Sequence, residues 1–404
     1  MSGTMALRIL SFTCLYPRPG NPGQGTFIRC RLQRLARRAE VKVVAPVALF
    51  GQATAQRQDG FVEVLHPRWF YVPGSGFVTA MLLALQALWT VRRLRRRFAF
   101  DVIDAHFGYP EGVAAWLMAR LLNVPFTITF RGSEVVHAKY PARRWLMRRA
   151  VRGAARVIAV SERLRRFAVE LGAGEADVRT IPNGIDTGLF HPRDRAGLRR
   201  SFGWRPDDRV LLTAGHLIEL KGHQHAIAAV RRLHNEGIPV RLLIAGGSPA
   251  RGVVSFEAQL RRLADQLHVN EHVEFLGHVP PEQLAGMMSA ADVFCLPSSR
   301  EGWPNVVHEA MACGAPVVAT DVGAVPEMIS DPAYGLVVPP QDSTAFTEAI
   351  RRALATEWDR AAIARWAERR SWDQVAREVD EELRAAIDGT RNAPGCLRPA
   401  ASGG

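Results

Sequence analysis

The chain has 404 residues, more than a single hydrophobic core usually spans and enough for two domains; 48% hydrophobic content with 34 Gly and 25 Pro excludes a disordered chain and suits a compact, turn-rich one. The formal charge of +13 is unevenly spread: residues 1–190 hold 28 Lys+Arg against 12 Asp+Glu, while residues 191–404 come to −3. Five cysteines (Cys14, Cys30, Cys295, Cys313, Cys396) are odd in number, scattered and without a C-x-x-C pair, so neither a disulfide framework nor a zinc site is indicated, and a reducing cytoplasm is the simpler setting.

In chain order, a strand is expected at 7–10, and the segment 8–15 has neither the apolar core nor the cleavage site of a secretory signal. A glycine-rich turn over 18–25, ending at Gly25, leads into a helix at 27–38 and a strand at 41–44. Such a turn lets backbone approach a ligand closely, which makes Gly25 a candidate donor-binding position. The apolar run 77–89 is thirteen residues long, short of the ~20 that a bilayer crossing needs, and reads as a buried or interfacial helix. Arginines follow it at 92, 93, 95, 96 and 97, and recur at 143, 144, 148 and 149 around Trp145, Leu146 and Met147. Basic residues mixed with apolar ones favour contact with an anionic membrane surface, and no nucleic-acid motif accompanies them, so no nucleic acid is expected as a partner.

Short β-branched strands at 102–106, 126–130 and 156–160, each followed by a helical pattern, indicate a parallel, doubly wound α/β sheet. His106 closes the first of them, a place where a histidine serves either structure or chemistry. Arg131-Gly132-Ser133-Glu134 follows the second, and its charged pair reads alternatively as a salt-bridged loop. A turn-rich stretch puts the domain boundary near 190–208, after which the alternation restarts with strands at 210–215, 240–243, 273–275, 293–296 and 317–319.

In the second half, Gly215-His216-Leu217-Ile218-Glu219-Leu220-Lys221-Gly222 lies between a strand and a helix, where Lys221 and local N–H groups can meet a diphosphate and His216 can donate a hydrogen bond. The segment Glu301-Gly302-Trp303-Pro304-Asn305-Val306-Val307-His308-Glu309 sets one glutamate in a loop at a strand end and the other on the first turns of the next helix. Helix-start N–H groups hold phosphates and carboxylates accept hydrogen bonds from hydroxyls, which is what a nucleotide sugar requires. Two glutamates by themselves would be read as a solvated pair on a helix face. No Asp-x-Asp occurs in the chain, and no G-x-G-x-x-G joins a strand to a helix, which argues against a dinucleotide dehydrogenase.

The segment 301–309, together with Ala312-Cys313-Gly314-Ala315-Pro316-Val317-Val318-Ala319-Thr320, strongly resembles the retaining glycosyltransferases of family 4. That resemblance implies the GT-B architecture, an α/β fold of two Rossmann-like doubly wound domains facing across a cleft. It implies an acceptor-side domain at 1–190, a nucleotide-sugar domain at 191–370 and a helix at 371–388 crossing back to the first domain; the tail at 389–404, rich in Gly, Pro and Ala, is expected to be disordered. By the same resemblance His106 contacts the donor sugar near the reacting carbon, Glu301 its hydroxyls and Glu309 the ribose. The N–H groups of Asn305 and Val306, beside Gly302, would hold the distal phosphate, since Pro304 has none to give. Gly277 and Val279 would hold the base through backbone atoms, and Lys221 the diphosphate. His216 stands where the family usually has arginine; Arg131 and Glu134 also depart from the family pattern and would shape the acceptor side.

His106, Glu301 and Lys221 are thus the expected catalytic residues, and the nucleotide-diphosphate sugar is a co-substrate with no metal or other cofactor. Segments 16–22 and 216–222 look like bacterial exopolysaccharide and teichuronic-acid type members. The expected activity is retaining transfer of a sugar to a glycan or lipid-linked glycan in cell-surface biosynthesis, by a cytoplasmic protein peripheral to the inner face of the membrane. A non-catalytic nucleotide-sugar-binding subunit and a sugar-nucleotide epimerase are the alternatives.

Overall fold

A computed structural model describes residues 6–19, 21–49, 56–70, 76–248 and 256–391. The chain divides into two compact units, one built from the residues up to Gly184 together with those from Trp372 onwards, the other from Ile185 to Ser371.

In the first unit the strands are β1 (Arg8–Phe12), β2 (Glu40–Val44), β3 (Val47–Ala48), β4 (Gln56–Asp59), β5 (Val62–Leu65), β6 (Arg68–Trp69), β7 (Val102–His106), β8 (Phe126–Phe130), β9 (Arg156–Ala159) and β10 (Val178–Thr180). Eight of them form one sheet in the order β10-β9-β8-β7-β1-β2-β5-β4, while β3 pairs separately with β6. All neighbours in the large sheet are parallel except β4 with β5, an antiparallel edge pair that the sequence pattern did not reveal. β7 and β8 are buried along their whole length, as expected of parallel strands covered on both faces. The chain winds one way from β1 through β2 and the other way from β7, so the switch point lies between the carboxyl ends of β1 and β7.

The helix Trp372–Arg391 belongs to this unit although the whole second unit precedes it in sequence. Its residues Trp372, Val375, Ala376, Val379, Leu383 and Ile387 recur at helical spacing and share a core with Ile9, Ile28, Leu32 and Leu35. Asp373 and Asp380 on its polar side lie 3.8 Å from Arg34 and 3.6 Å from Arg38. Residues 389–391, assigned to a tail in the sequence reading, are helical; the rest of that tail, 392–404, lies outside the described residues.

The second unit contains β11 (Val210–Ala214), β12 (Arg241–Ala245), β13 (Val273–Gly277), β14 (Val293–Leu296), β15 (Val317–Thr320) and β16 (Gly335–Val338) in the order β13-β12-β11-β14-β15-β16. Every pair is parallel. Side chains alternate between two cores: Leu212, Phe294, Leu296, Val317 and Ala319 pack on one face, Leu211, Val293, Cys295 and Val318 on the other. This double burial explains the unbroken apolar runs.

The chain enters and leaves this unit side by side, since the Ile185 N–H donates to the Arg370 carbonyl at 2.9 Å. Ile185 and Phe190 are buried in its core. The division therefore falls at Gly184/Ile185 rather than 190/191, because these two apolar residues need that core. Here the switch point lies between β11 and β14.

Candidate functional site

In the second unit the loops after β11 and β14 are tied together at the switch point. The Ser299 N–H donates to the Leu220 carbonyl at 2.9 Å. Gly222, at φ 72°, opens the helix His223–Asn235, and a Cβ there would strike the carbonyl oxygen of Pro297. On the other side of the β14 loop the Ala324 N–H donates to the Gly302 carbonyl at 2.9 Å.

Held this way, Lys221 reaches Glu301: Nζ lies 2.6 Å from Oε1, and the same oxygen accepts from Ser298 Oγ at 2.8 Å. The two side chains are 20% and 10% exposed, so the pair is shielded from bulk water but open on one side. Sequence reasoning gave each residue its own ligand contact and did not foresee that they meet; Ser298 was missed as well.

The helix Asn305–Ala312 starts beside this pair. Its cap residue is Pro304, whose backbone is extended and whose side chain offers no cap. The first N–H groups of any helix have no acceptor within it, so they point a positive end outward. Val307, His308, Ala310, Met311 and Ala312 are buried, leaving half-buried Asn305, Val306 and Glu309 on the remaining face at i, i+1 and i+4. Burial pushes the Glu309 carboxyl up to about 7. His308 turns the other way, with Nε2 against the Ala367 carbonyl at 2.9 Å, and burial lowers it to about 4.

Gly277 and Val279 lie at the end of β13, both half-buried. Gly277, at φ 65°, accepts through its carbonyl from the Gly246 N–H at 2.7 Å. His216 is exposed in the loop after β11. A residue missed from sequence, His223, supports that loop: its Nε2 lies 3.3 Å from the His216 carbonyl, and burial lowers it to about 4. Its position directly after Lys221-Gly222, at the start of a helix, was the available signal.

In the first unit Gly25 is buried in the left-handed region at φ 70° and caps the helix Thr26–Leu35, with a Cβ there blocked by the Leu15 carbonyl. His106 ends β7 and is completely enclosed. Arg131 Nη2 lies 3.1 Å from its Nδ1. Arginine only donates, so Nδ1 accepts and the ring proton sits on Nε2, which donates to Ser11 Oγ at 3.0 Å. Burial lowers this imidazole to about 4 and keeps it neutral. Both nitrogens thus face protein groups, and His106, expected from the resemblance to contact the donor sugar, is part of a buried polar hub.

That hub extends downwards. Arg31 donates to both Asp104 oxygens at 3.1 and 3.0 Å and to Thr129 Oγ1 at 2.8 Å, while Thr127 Oγ1 donates to Asp104. Burial alone would raise the Asp104 carboxyl, but Arg31 and then His106 outweigh it and hold it well below the usual carboxylate range. Asp104 inside an apolar strand and Arg31 among the apolar positions of a helix were visible signals that the sequence reading passed over.

Arg131 and Glu134, expected to shape the acceptor side or to form a salt-bridged loop, are likewise interior groups. Glu134 accepts from the N–H groups of Gly108 at 2.9 Å, Arg131 at 3.2 Å and Gly132 at 2.6 Å. Arg131 turns away to His106 and to Asn183 Oδ1 at 3.1 Å, with its guanidinium 5.0 Å over the Phe27 ring. A carboxylate collecting backbone N–H groups is well satisfied without an arginine.

Two doubly wound units, each with polar or charged groups at its switch point, give the chain the GT-B architecture. Residues 22–189 match the family model described as Glycosyltransferase Family 4, and residues 194–377 the one described as Glycosyl transferases group 1. The chain is 32% identical to a D-inositol 3-phosphate glycosyltransferase of Xylanimonas cellulosilytica, over 88% of this chain and 89% of that one. It is 27% identical to a putative teichuronic acid biosynthesis glycosyltransferase, TuaC, of Bacillus subtilis (strain 168), over 96% of both. Among solved structures, Anabaena Alr3699/HepE aligns with a TM-score of 0.73 at 20% identity, covering 94% of this chain and all of that one. The chain belongs to glycosyltransferase family 4.

Proposed function

We propose that this glycosyltransferase moves a sugar, with retention of anomeric configuration and without a metal ion, to a hydroxyl of a glycan or lipid-linked glycan in exopolysaccharide or cell-envelope biosynthesis, at the inner face of the cell membrane. The observation that carries the reading is the Lys221–Glu301 pair at a switch point, beside a helix start whose half-buried face carries Asn305, Val306 and Glu309. Breaking the anomeric C–O bond leaves positive charge on the sugar and negative charge on the departing diphosphate. Lys221 and the N–H groups of Asn305 and Val306 stabilise that negative charge as it develops. Glu301 accepts from donor-sugar hydroxyls and Glu309 from the ribose. The acceptor oxygen forms the new bond to the anomeric carbon as the bond to the diphosphate oxygen breaks, and its proton passes to the departing diphosphate.

Support for the donor class comes from Alr3699/HepE, whose structure was solved in complex with UDP; support for an envelope-polymer acceptor comes from TuaC, a putative teichuronic acid biosynthesis enzyme. Independence from metal is supported by Lys221, which supplies the cation, and by the lack of Asp-x-Asp in the sequence.

The test is incubation of the purified chain with UDP-, GDP-, ADP- and dTDP-sugars, with membrane lipid extract or inositol phosphate as acceptor, reading released nucleotide, glycosylated product and its anomeric configuration. Product that falls about 100-fold or more in Lys221→Ala and Glu301→Ala, and that survives a chelator, agrees with the proposal. Rearranged donor without an acceptor would make it an epimerase, and donor binding without transfer a binding subunit.

A further inference from the structure

The helix Thr79–Arg97 and the one-turn 3-10 segment Gly76–Val78 before it carry one face that no core absorbs. Ala80, Leu83, Ala84, Ala87, Leu88, Val91 and Leu94 are buried within the first unit. The exposed large side chains are Phe77, Met81, Leu85 and Trp89, at 50%, 40%, 70% and 67%. They recur every fourth residue along about 18 Å of helix. From there the exposed positions are 92, 93, 96 and 97, every one an arginine. The same outward face is therefore apolar over its first three turns and cationic over its last.

Although Gly76–Arg97 is long and apolar enough to cross a bilayer by length and composition, its buried face commits it to the domain.

The helix Pro141–Gly153 lies alongside. Phe77 and Met81 line an apolar depression with Ala142, Trp145 and Leu146. On the other side of Trp145 a second depression is lined by Pro141, Arg144, Arg148, Arg149 and Arg152. Trp145, 55% exposed, forms the wall between them. Neither helix contains an acidic residue. Arg93 lies 5.5 Å over the Trp89 ring and Arg149 5.1 Å over Trp145. Tryptophan with a guanidinium over it suits the boundary between acyl chains and headgroups, where the ring is apolar and its rim is wet.

We infer that these two helices form a docking surface for an anionic phospholipid bilayer, with Phe77, Met81, Leu85, Trp89 and Trp145 entering the acyl boundary and the flanking arginines meeting lipid phosphates. The inference rests on the membrane-side reading of the function but not on the sugar-transfer chemistry, which uses other residues. Charge complementarity selects the occupant: Arg97 is paired with Glu63 at 2.6 Å, but a stripe of apolar side chains continued by Arg92, Arg93 and Arg96 and flanked by Arg144, Arg148 and Arg149, on helices without acidic residues, matches acyl chains beneath a layer of phosphates. An acidic protein partner would leave the apolar stripe without a partner, and a second copy would set arginine against arginine.

The experiment is flotation of the full chain with vesicles of phosphatidylcholine alone and with 30% phosphatidylglycerol. The chain is expected to bind the anionic vesicles at least tenfold more tightly. Each basic residue at such a surface is worth a factor of about five, so Arg148→Ala/Arg149→Ala should weaken that binding about 25-fold. Leu85→Glu/Trp89→Glu should abolish it, with circular dichroism unchanged because both positions face solvent. In the intact protein, lipids brominated near the headgroup should quench tryptophan emission, and less so in Trp89→Phe and Trp145→Phe.

Equal binding to neutral vesicles, binding that survives Leu85→Glu/Trp89→Glu, or a dimer that this double variant dissociates without any vesicle binding would overturn the inference. If flotation behaves as described while sugar transfer fails, the catalytic proposal falls alone; if transfer succeeds on a soluble acceptor while flotation fails, the surface falls alone.

Discussion

Replacing Asp104 by asparagine tests the buried network of the first unit. The side chains of Arg31 and Asp104 are 2% and 0% exposed and 3.0 Å apart. The amide would keep the volume and one acceptor but remove the charge that balances Arg31. Removing one member of a buried pair leaves the other without compensation, which costs about 3–5 kcal/mol. With an m-value of about 3 kcal/mol/M, the urea midpoint of this unit should fall by roughly 1–1.7 M. Hydrogen exchange mass spectrometry across a urea series reads the two units separately: peptides covering 102–106 and 126–130 should lose protection earlier, while those covering 293–296 should not. Replacing both partners, Arg31→Met with Asp104→Leu, should recover most of the loss because no charge is then buried. A change below about 1 kcal/mol in Asp104→Asn, or a double variant as unstable as the single one, would refute the account of this pair.

Two further outcomes follow from the second unit. His308 is held at about 4 by burial against about 6.5 unfolded, so the unfolded chain binds the extra proton between those values. The stability gained by keeping it neutral is complete above about pH 6.5 and is lost as the pH falls towards 4, by up to about 3 kcal/mol. The advantage of wild type over His308→Gln should therefore shrink by that amount between pH 7 and pH 4, and parallel stability curves would show the histidine is not buried neutral. Gly222→Ala puts a methyl group against the Pro297 carbonyl at a φ of 72°, so the β11 and β14 loops must separate. Donor-dependent activity should drop at least tenfold while the unit stays folded; full activity would mean that Lys221 does not depend on this contact.

Much of the fold can be read directly along the chain, because each parallel strand is buried on both faces and so appears as a short unbroken apolar run. Val293–Leu296 and Val317–Thr320 are examples. The edge pair β4 and β5 escaped notice because Gln56–Asp59 is polar and takes its conformation from its neighbour. Glu301 and Glu309 were legible because strand, loop and helix follow one another within one short segment.

Local sequence thus determined the elements, their α/β alternation and the strand-loop-helix segment that carries Glu301 and Glu309, since backbone propensity and side-chain period act over a few residues. Tertiary structure alone decided which distant groups meet. Lys221 reaches Glu301 across 80 positions only because β11 and β14 are neighbours at the switch point, and Arg31 reaches Asp104 across 73 because its helix packs on the sheet. The same long-range packing encloses His106, returns the helix at Trp372 to the first unit, and chooses which face of Thr79–Arg97 is left in contact with water. Those outcomes depend on the order of strands in a sheet, which no local pattern encodes.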